Sequence, residues 1–221
     1  MQTTIKGAPS FSHVHVDLSP GESVYCERGA MQAMSANVVL KSQTNGGFFS
    51  ALIKKFLGGE SFFITKFTNN SPGEQRVTFS QTQPGEIIEY KLDDDQVIHL
   101  KKGAYIAATE NVKFKVAYAG FGSLIAGEGL VRLKVTGKGI LWFGGYGRVL
   151  EKDIDGELVI DSGYLLAHKG KLKLNVGMVG GIISSITSKE GFITRVKGEG
   201  TVYIQTRSVR GLAAWLNSKF R

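Results

Sequence analysis

Cysteine and long apolar runs are scarce in this chain, and each scarcity excludes a class of protein. The 221 residues include one cysteine, Cys26, so no disulfide can form within the chain and a disulfide-built scaffold is excluded. The longest weakly polar run, Leu174 to Ile186, is rich in glycine and shorter than the ~20 residues that span a bilayer. Residues 1–20 lack the apolar core of a secretory signal. We therefore expect a cytoplasmic protein without a transmembrane segment.

The composition is that of a globular protein with an uneven charge. Hydrophobic residues make up 42% and charged residues 21% of the chain, and an all-β domain of this length commonly stays undivided. Residues 1–100 carry 8 Lys and Arg against 10 Asp and Glu, whereas residues 101–221 carry 19 against 9. The net charges are therefore −2 and +10. The basic second half suggests a polyanionic partner as one hypothesis.

The sequence contains three copies of one repeat. The segments VYCERGAMQAMSANVVLK (from Val24), IHLKKGAYIAATENVKFK (from Ile98) and LVIDSGYLLAHKGKLKLN (from Leu158) align without gaps. Gly29, Gly103 and Gly163 share one position of the alignment, and residues 33, 107 and 167 are alanine in all three. Self-similarity of this extent predicts repeated supersecondary units.

An apolar, glycine-rich segment follows each repeated block. The three segments are GGFFSALIKKFLGGE (46–60), GFGSLIAGEG (120–129) and GGIISSITSKEG (180–191). A membrane anchor would hardly be needed three times, so we expect these segments to line the core between repeats or a subunit interface. In the first one, Lys54 and Lys55 should reach solvent, and residues 48–57 could form a short turn of helix.

Period-two alternation predicts that the repeats consist of strands. Val112, Phe114 and Val116 alternate with Lys113 and Lys115. Pro-Gly pairs at 19–22, 71–74 and 83–86 predict type II turns, and IDGE at 154–157 predicts another tight turn.

The predicted fold is all-β, with three repeats packed as a pseudo-threefold prism or a sandwich-like body and a short helix at the end. We place one domain at 1–206, with repeats at about 21–70, 84–147 and 153–206. Residues 207–221 carry apolar side chains at helical spacing, and Ser208 can serve as the N-cap. This amphipathic helix should pack on the body or on a neighbouring subunit.

The order of glycine-entered strands resembles a known family. The succession GG…GGE, GKGILWFGGYG and GEGTVYIQTRS, followed by an R-S-x-x-x-L-A helix, resembles the altered-inheritance-of-mitochondria family over nearly the whole chain. Members of that family have the tryptophan-RNA-binding-attenuation-protein-like fold. The resemblance implies an all-β, often homo-oligomeric bacterial protein without an assigned mechanism, and family members in mitochondria are linked to organelle biogenesis. No position here matches the attenuation protein's RNA- or tryptophan-binding motifs, so neither ligand is carried over.

No combination of residues in the sequence matches a known catalytic motif, so we predict no catalytic, cofactor or metal site. His13 and His15 share one face of a strand, which Asp17 extends, and they could bind a metal if a third ligand arrived from elsewhere. Alternating His and Asp residues on a strand more often form a solvated face. Cys26 reads as a buried thiol, and the aspartates at 93–95 read as a solvated turn. The glycines of TGKG and KGEG lack the lysine and helix of a phosphate loop, and we interpret them as tight turns and close backbone approaches between repeats.

Basic residues recur in pairs at two-residue spacing, which places both charges of a pair on one face of a strand. The pairs are Lys113 and Lys115, Arg132 and Lys134, Lys171 and Lys173, and Arg195 and Lys197. In the first repeat Val39 replaces the first lysine and Lys41 remains. If the strands are neighbours, these pairs form a polyanion-binding surface; otherwise they are solvated faces that discourage edge aggregation.

The sequence therefore favours a non-enzymatic, homo-oligomeric β scaffold or binding module, for which we expect a trimer. The alternative function is binding of RNA or an anionic membrane surface through the basic strand faces. An enzyme assembled from residues that meet only in three dimensions, such as His13, His15 and Asp17 at a subunit junction, is the third hypothesis.

Overall fold

The computed structural model describes residues 1–43, 64–118, 131–178 and 192–220, which contain sixteen strands and one helix. The first strands are β1 (Gln2–Lys6), β2 (His13–Leu18), β3 (Ser23–Glu27), β4 (Met31–Met34), β5 (Val38–Gln43), β6 (Ile64–Asn69) and β7 (Gln75–Ser80). The middle strands are β8 (Ile87–Leu92), β9 (Ile98–Lys101), β10 (Tyr105–Thr109), β11 (Val112–Tyr118), β12 (Val131–Gly137) and β13 (Gly139–Gly144). The last elements are β14 (Val149–Asp161), β15 (Leu165–Met178), β16 (Phe192–Gln205) and α1 (Val209–Asn217). The predictions about the segments at 46–60, 120–129 and 180–191, including Lys54 and Lys55, fall outside the described residues.

Three antiparallel sheets form the body. Sheet A has the order β1-β2-β7-β4, sheet B has the order β5-β6-β3-β10-β13-β8, and sheet C has the order β11-β12-β9-β15-β16-β14. Sheets B and C each join strands from two consecutive repeats, at the β3–β10 and β9–β15 pairs. The predicted all-β, three-repeat, sandwich-like body with a C-terminal helix is confirmed.

Alternating side chains produce the cores between these sheets. On β2, Val14, Val16 and Leu18 are fully buried while the polar residues between them are half-exposed. Burial of each such side chain contributes roughly 1.5–3 kcal/mol. One apolar cluster combines residues of sheets A and B, a second combines residues of sheets B and C, and a third lies within β14, β15 and β16.

The same irregularity marks one strand in each repeat. The pairing register shifts between Met31 and Ala33 in β4, between Tyr105 and Ala107 in β10, and between Leu165 and Ala167 in β15. A β-bulge inserts one residue at a defined place and is kept as a structural feature. Three bulges at the aligned alanines show that β4, β10 and the start of β15 are equivalent elements.

The third repeat differs because its strands run on without interruption. The stretches that form separate strands β12 and β13 in the second repeat are continuous in β16. The predicted tight turn at 154–157 is wrong, because Gly156 lies inside β14, paired with Gly198, and bends the strand with a φ of 117°. Gly170 pairs with Gly200 in the same region, where an added Cβ on Gly170 would lie 2.7 Å from the Gly200 Cα.

The three Pro-Gly pairs do not form the same turn. In residues 19–22 Gly21 has a φ of 80° and the Glu22 N–H donates to the Ser19 carbonyl, as a type II turn requires. The type II prediction is wrong for 71–74 and 83–86, since neither Gly73 nor Gly85 has a positive φ. Gly85 is instead a close-approach glycine, because a Cβ there would overlap the carbonyl oxygen of Gly145.

Helix α1 begins as predicted, with the Ser208 side chain accepting a hydrogen bond from the Gly211 N–H at 3.2 Å. None of its residues is buried. The predicted packing of α1 on its own body is therefore not seen within the described part of the chain. No helix among the described residues is long and apolar enough to cross a membrane.

Candidate functional site

One basic patch lies on the outer face of the β11–β12 hairpin. Lys113 and Lys115 are exposed on β11, whereas Val112 and Phe114, which alternate with them, are buried in the core. Lys115 lies directly opposite Lys134 of β12. Side chains opposite each other on antiparallel strands have Cβ atoms about 5 Å apart, and like charges there destabilise the sheet. We call Lys113, Lys115 and Lys134 the β11–β12 patch.

Arg132 does not belong to this exposed surface. The two-residue spacing predicted that it would project into solvent beside Lys134, but it is 8% exposed. It lies opposite Lys101 of β9, and β9 pairs with β15 along its other edge. Sheet pairing across the repeat boundary therefore encloses Arg132, and its charge acts from inside the fold rather than as a direct contact.

A second basic patch lies on the β15–β16 hairpin. We call Lys171, Lys173, Arg195 and Lys197 the β15–β16 patch, and all four side chains are exposed. Lys173 lies directly opposite Lys197, again placing like charges side by side. Arg195 donates to Glu157 on β14 at 3.0 Å, and this exposed pair contributes less than ~1 kcal/mol.

The two patches are not strict copies of each other. Lys113 lies opposite Thr136, and the residues at the matching places of the third repeat are Lys173 and Lys197. The residue that matches Lys115 is Asn175. The lysine pairs are therefore shifted by two residues between repeats, which keeps both pairs on the outer face because side chains alternate with period two.

The first repeat has no equivalent exposed patch in its described residues. Lys41 lies opposite Lys66, as Lys115 lies opposite Lys134. However, the Lys66 ammonium group bonds to Glu110 at 2.8 Å and lies 5.3 Å from the centre of the Tyr25 ring. The hydrogen bond to Glu110 raises the pKa of Lys66. The basic character that the charge count placed in the second half thus follows the hairpins of the second and third repeats.

A histidine pair that the sequence did not predict lies at the junction of these two repeats. His99 of β9 faces His168 of β15, with ring centroids 4.8 Å apart and planes 11° from parallel. His168 is 7% exposed, and burial, followed by the charge of Arg132, lowers its pKa to about 3. Burial also lowers the pKa of His99. Only the pairing register of β9 with β15 reveals that the two histidines meet, and a single sequence does not contain that register.

The predicted face of His13, His15 and Asp17 exists, but its groups have other partners. His15 Nδ1 lies 2.9 Å from the Thr78 hydroxyl. Asp17 receives two hydrogen bonds from the Arg76 guanidinium at 2.6 and 2.8 Å, and this interaction lowers the pKa of Asp17. No group of three or more His, Cys, Asp or Glu side chains that could hold a metal ion occurs within residues 1–43, 64–118, 131–178 and 192–220.

The remaining candidates behave as structural residues. Cys26 is 1% exposed, and burial raises the pKa of its thiol to about 12, so a reactive thiolate is not available. The aspartates at 93–95 are exposed after β8, as predicted. The predicted close backbone approach at TGKG is present, because a Cβ on Gly137 would overlap the carbonyl oxygen of Asn111. The tight-turn prediction is wrong for KGEG, because Gly198 and Gly200 lie inside β16, where they are close-approach glycines instead.

Comparison with known proteins agrees with this architecture. An uncharacterised protein of Streptococcus pyogenes serotype M6 is 28% identical over 225 residues, covering 98% of this chain and 90% of that protein. A crystal structure of a Streptococcus pyogenes protein superposes with a TM-score of 0.80 at 27% identity, covering 99% of both chains. The model of the family described as mitochondrial biogenesis AIM24 matches residues 3–207. With that match spanning the whole β body, the chain belongs to the mitochondrial biogenesis AIM24 family.

Proposed function

We propose that this protein is a non-enzymatic, homo-oligomeric β scaffold of the cytoplasm, assembled as a trimer. The observation that carries the proposal is the bare apolar face of α1. Val209 is 52%, Leu212 40% and Leu216 38% exposed. At helical spacing these side chains form one stripe, and such a stripe is normally covered by another surface.

A neighbouring copy is the cover that we propose for the stripe. Trp215, which is 58% exposed, extends the same apolar surface along α1. Aromatic and aliphatic side chains of this kind form the buried centre of protein interfaces.

Light scattering after size-exclusion chromatography tests this proposal. The full chain should elute with a mass above that of one chain, and replacing Leu212 and Leu216 together by Glu should lower the mass. Ala214→Glu, on the opposite side of the same helix, is the matched control and should keep the wild-type mass. A single-chain mass for the wild-type protein at micromolar concentration would refute the scaffold.

The second candidate function is binding of a polyanion, RNA or an anionic membrane, through the two basic patches. Within the described residues, no carboxylate lies within 4.0 Å of Lys113, Lys115 or Lys134, or of Lys171, Lys173 or Lys197. Each patch also carries a directly opposed lysine pair, whose repulsion costs the folded sheet a few tenths of a kcal/mol. An anionic ligand would relieve that repulsion and would bind in a salt-dependent way.

Fluorescence anisotropy with labelled single-stranded RNA across a salt series tests this candidate. Replacing four patch lysines, at 113, 115, 171 and 173, by Gln should weaken binding and reduce the salt slope by up to about 3, because each phosphate contact contributes about 0.7. The matched control replaces four exposed lysines outside the patches, at 6, 91, 138 and 152, by Gln. Equal weakening by both variants would refute binding through the patches, and no binding at low salt would refute RNA binding. Sedimentation with phosphatidylserine vesicles asks the same question of a membrane.

A further inference from the structure

Consecutive repeats are connected at two places by the same kind of antiparallel strand pair, which we call a joint. At the first joint, Ala107, Ala108 and Thr109 of β10 pair with Cys26, Tyr25 and Val24 of β3. At the second, Ala167, His168 and Lys169 of β15 pair with Leu100, His99 and Ile98 of β9. In both joints a bulged strand of one repeat pairs antiparallel with the equivalent strand of the preceding repeat. The repeat alignment places both joints in the same register.

The two strands that would form a third joint are both present, but within the described residues they do not pair with each other. β4 is the bulged strand of the first repeat and lies at the edge of sheet A, where it pairs with β7 alone among the described strands. The segment 158–161 at the end of β14 is the third-repeat equivalent of β3 and β9. It lies at the edge of sheet C, where β14 pairs with β16 alone among the described strands.

These two edges differ from the open edges formed by β5 and β11. β5 and β11 are equivalent strands and both lie at sheet edges. Openness at that position is thus a constant property of the repeats. β4, in contrast, has an open edge, although its equivalents β10 and β15 are paired at that edge. The end of β14 also has an open edge, although its equivalents β3 and β9 are paired there.

Side-chain exposure marks the same two edges. Applying the register of the two existing joints pairs Ala33 with Ile160, Met34 with Val159, and Ser35 with Leu158. Met34 is 38% and Val159 47% exposed. At the places equivalent to Met34 in the existing joints, Ala108 is 1% and His168 7% exposed, and at the places equivalent to Val159, Tyr25 and His99 are half-buried. Two large apolar side chains are therefore exposed at the central position, where a third joint would place them opposite each other and bury Met34.

We infer that β4 of one copy of this chain pairs antiparallel with residues 158–161 of β14 in a second copy, in the register just given. The inference rests on the proposed homo-oligomer and assigns one of its interfaces. The contact is head-to-tail, so repetition of it closes a ring when the rotation allows closure. It continues across chains the rule by which consecutive repeats are joined within the chain, and it covers edges that would otherwise invite unspecific strand addition.

Cysteine cross-linking tests the register directly. Side chains opposite each other on antiparallel strands have Cβ atoms about 5 Å apart, close enough for a disulfide after small adjustment. Met34→Cys and Val159→Cys proteins, mixed, allowed to exchange and mildly oxidised, should give a cross-linked dimer that neither gives alone. Cys26 is buried and stays out of the reaction. The matched control pairs Met34→Cys with Leu150→Cys, since Leu150 is 46% exposed on the same strand but outside the joint, and should give none.

Charge exchange at the same pair provides a second, independent readout. Met34→Glu combined with Val159→Glu should lower the oligomer mass, and Met34→Lys combined with Val159→Glu should restore it, because opposite charges then face each other. Both sites are exposed, so the variants should fold, as far-UV circular dichroism can verify.

The outcomes separate this inference from the proposed function. A wild-type protein of single-chain mass refutes both. An oligomer that neither cross-links in the mixture nor responds to the double Glu variant keeps the scaffold but overturns the β4–β14 joint. If a single chain carrying both Met34→Cys and Val159→Cys forms the cross-link within itself, the two edges pair within one chain, and the inference of pairing between copies is overturned.

Discussion

Acidification should destabilise this protein through one buried side chain, His168. Its imidazole packs against His99 at the junction of two repeats, and its Nδ1 atom has no hydrogen-bond partner within the described structure. Burial lowers the pKa of His168 to about 3 from its ordinary value of 6.5. The folded state therefore keeps the ring neutral at a pH where the unfolded chain protonates it.

The size and sign of the effect follow from proton linkage. Above pH 6.5 both states hold a neutral ring, and His168 has no effect on the pH dependence. Below pH 6.5 the unfolded state binds a proton that the folded state does not, so the free energy of unfolding falls by about 1.4 kcal/mol per pH unit until the folded pKa is reached. At pH 5 the loss amounts to roughly 2 kcal/mol, as an upper value.

Urea denaturation of wild-type protein and His168→Phe between pH 7.5 and pH 5 measures this loss. Phenylalanine keeps a flat ring against His99 and removes the titrating group. The wild type should lose roughly 2 kcal/mol more than the variant between these two pH values, with the same denaturant slope in both proteins. Parallel losses, within about 0.5 kcal/mol, would refute the assignment of the acid sensitivity to His168.

Three further predictions concern stability and reactivity. Gly170→Ala should cost more than ~2 kcal/mol in thermal or urea unfolding, because the new Cβ would lie 2.7 Å from the Gly200 Cα, while Gly177→Ala, with no heavy atom within 4 Å, should change stability by less than ~0.5 kcal/mol. The Cys26 thiol should be silent to Ellman's reagent in the folded protein and react fully in urea, because it is buried. Ser208→Ala should remove the N-cap and destabilise α1 by ~1 kcal/mol, which limited proteolysis of the tail would detect as faster cleavage.

Each of these has a clear contrary result. Equal stability of the two glycine variants would show that the strands at Gly170 can separate without cost. Rapid thiol modification in the folded state would place Cys26 near the surface. Unchanged cleavage in the Ser208 variant would mean that α1 is held by contacts other than its own cap.

The strands were predictable where a local pattern sets them. The alternation of Val112 and Phe114 with Lys113 and Lys115 marks a half-buried strand without reference to anything distant. The N-cap at Ser208 is equally local. The glycine and alanine positions of the repeat also identified the elements that carry the three bulges.

What the sequence could not reveal depends on pairing between distant segments. Arg132 reads as exposed from its own strand, and becomes buried where β12 pairs with β9 and β9 with β15. Gly73 sits in the same four letters as Gly21, but the Asn69 side chain accepts a hydrogen bond from the Ser71 N–H and sets a different turn. The outer face of the basic pairs was predictable, whereas the direct opposition of Lys115 and Lys134 needed the register.

The sharing of sheets between repeats has a consequence for how this protein folds. In a solenoid each repeat contacts only its sequence neighbours through a face, and folding can begin in one part of the array and propagate. Here the joint between β3 and β10 brings together Cys26 and Ala107, which are 107−26=81 residues apart, so the sheet is incomplete until both repeats have been synthesised. Loop closure over such a span slows folding and ties the two repeats into one cooperative transition. A chain cut between repeats would therefore lose half a sheet on each side of the cut, and no single repeat is an autonomous folding unit.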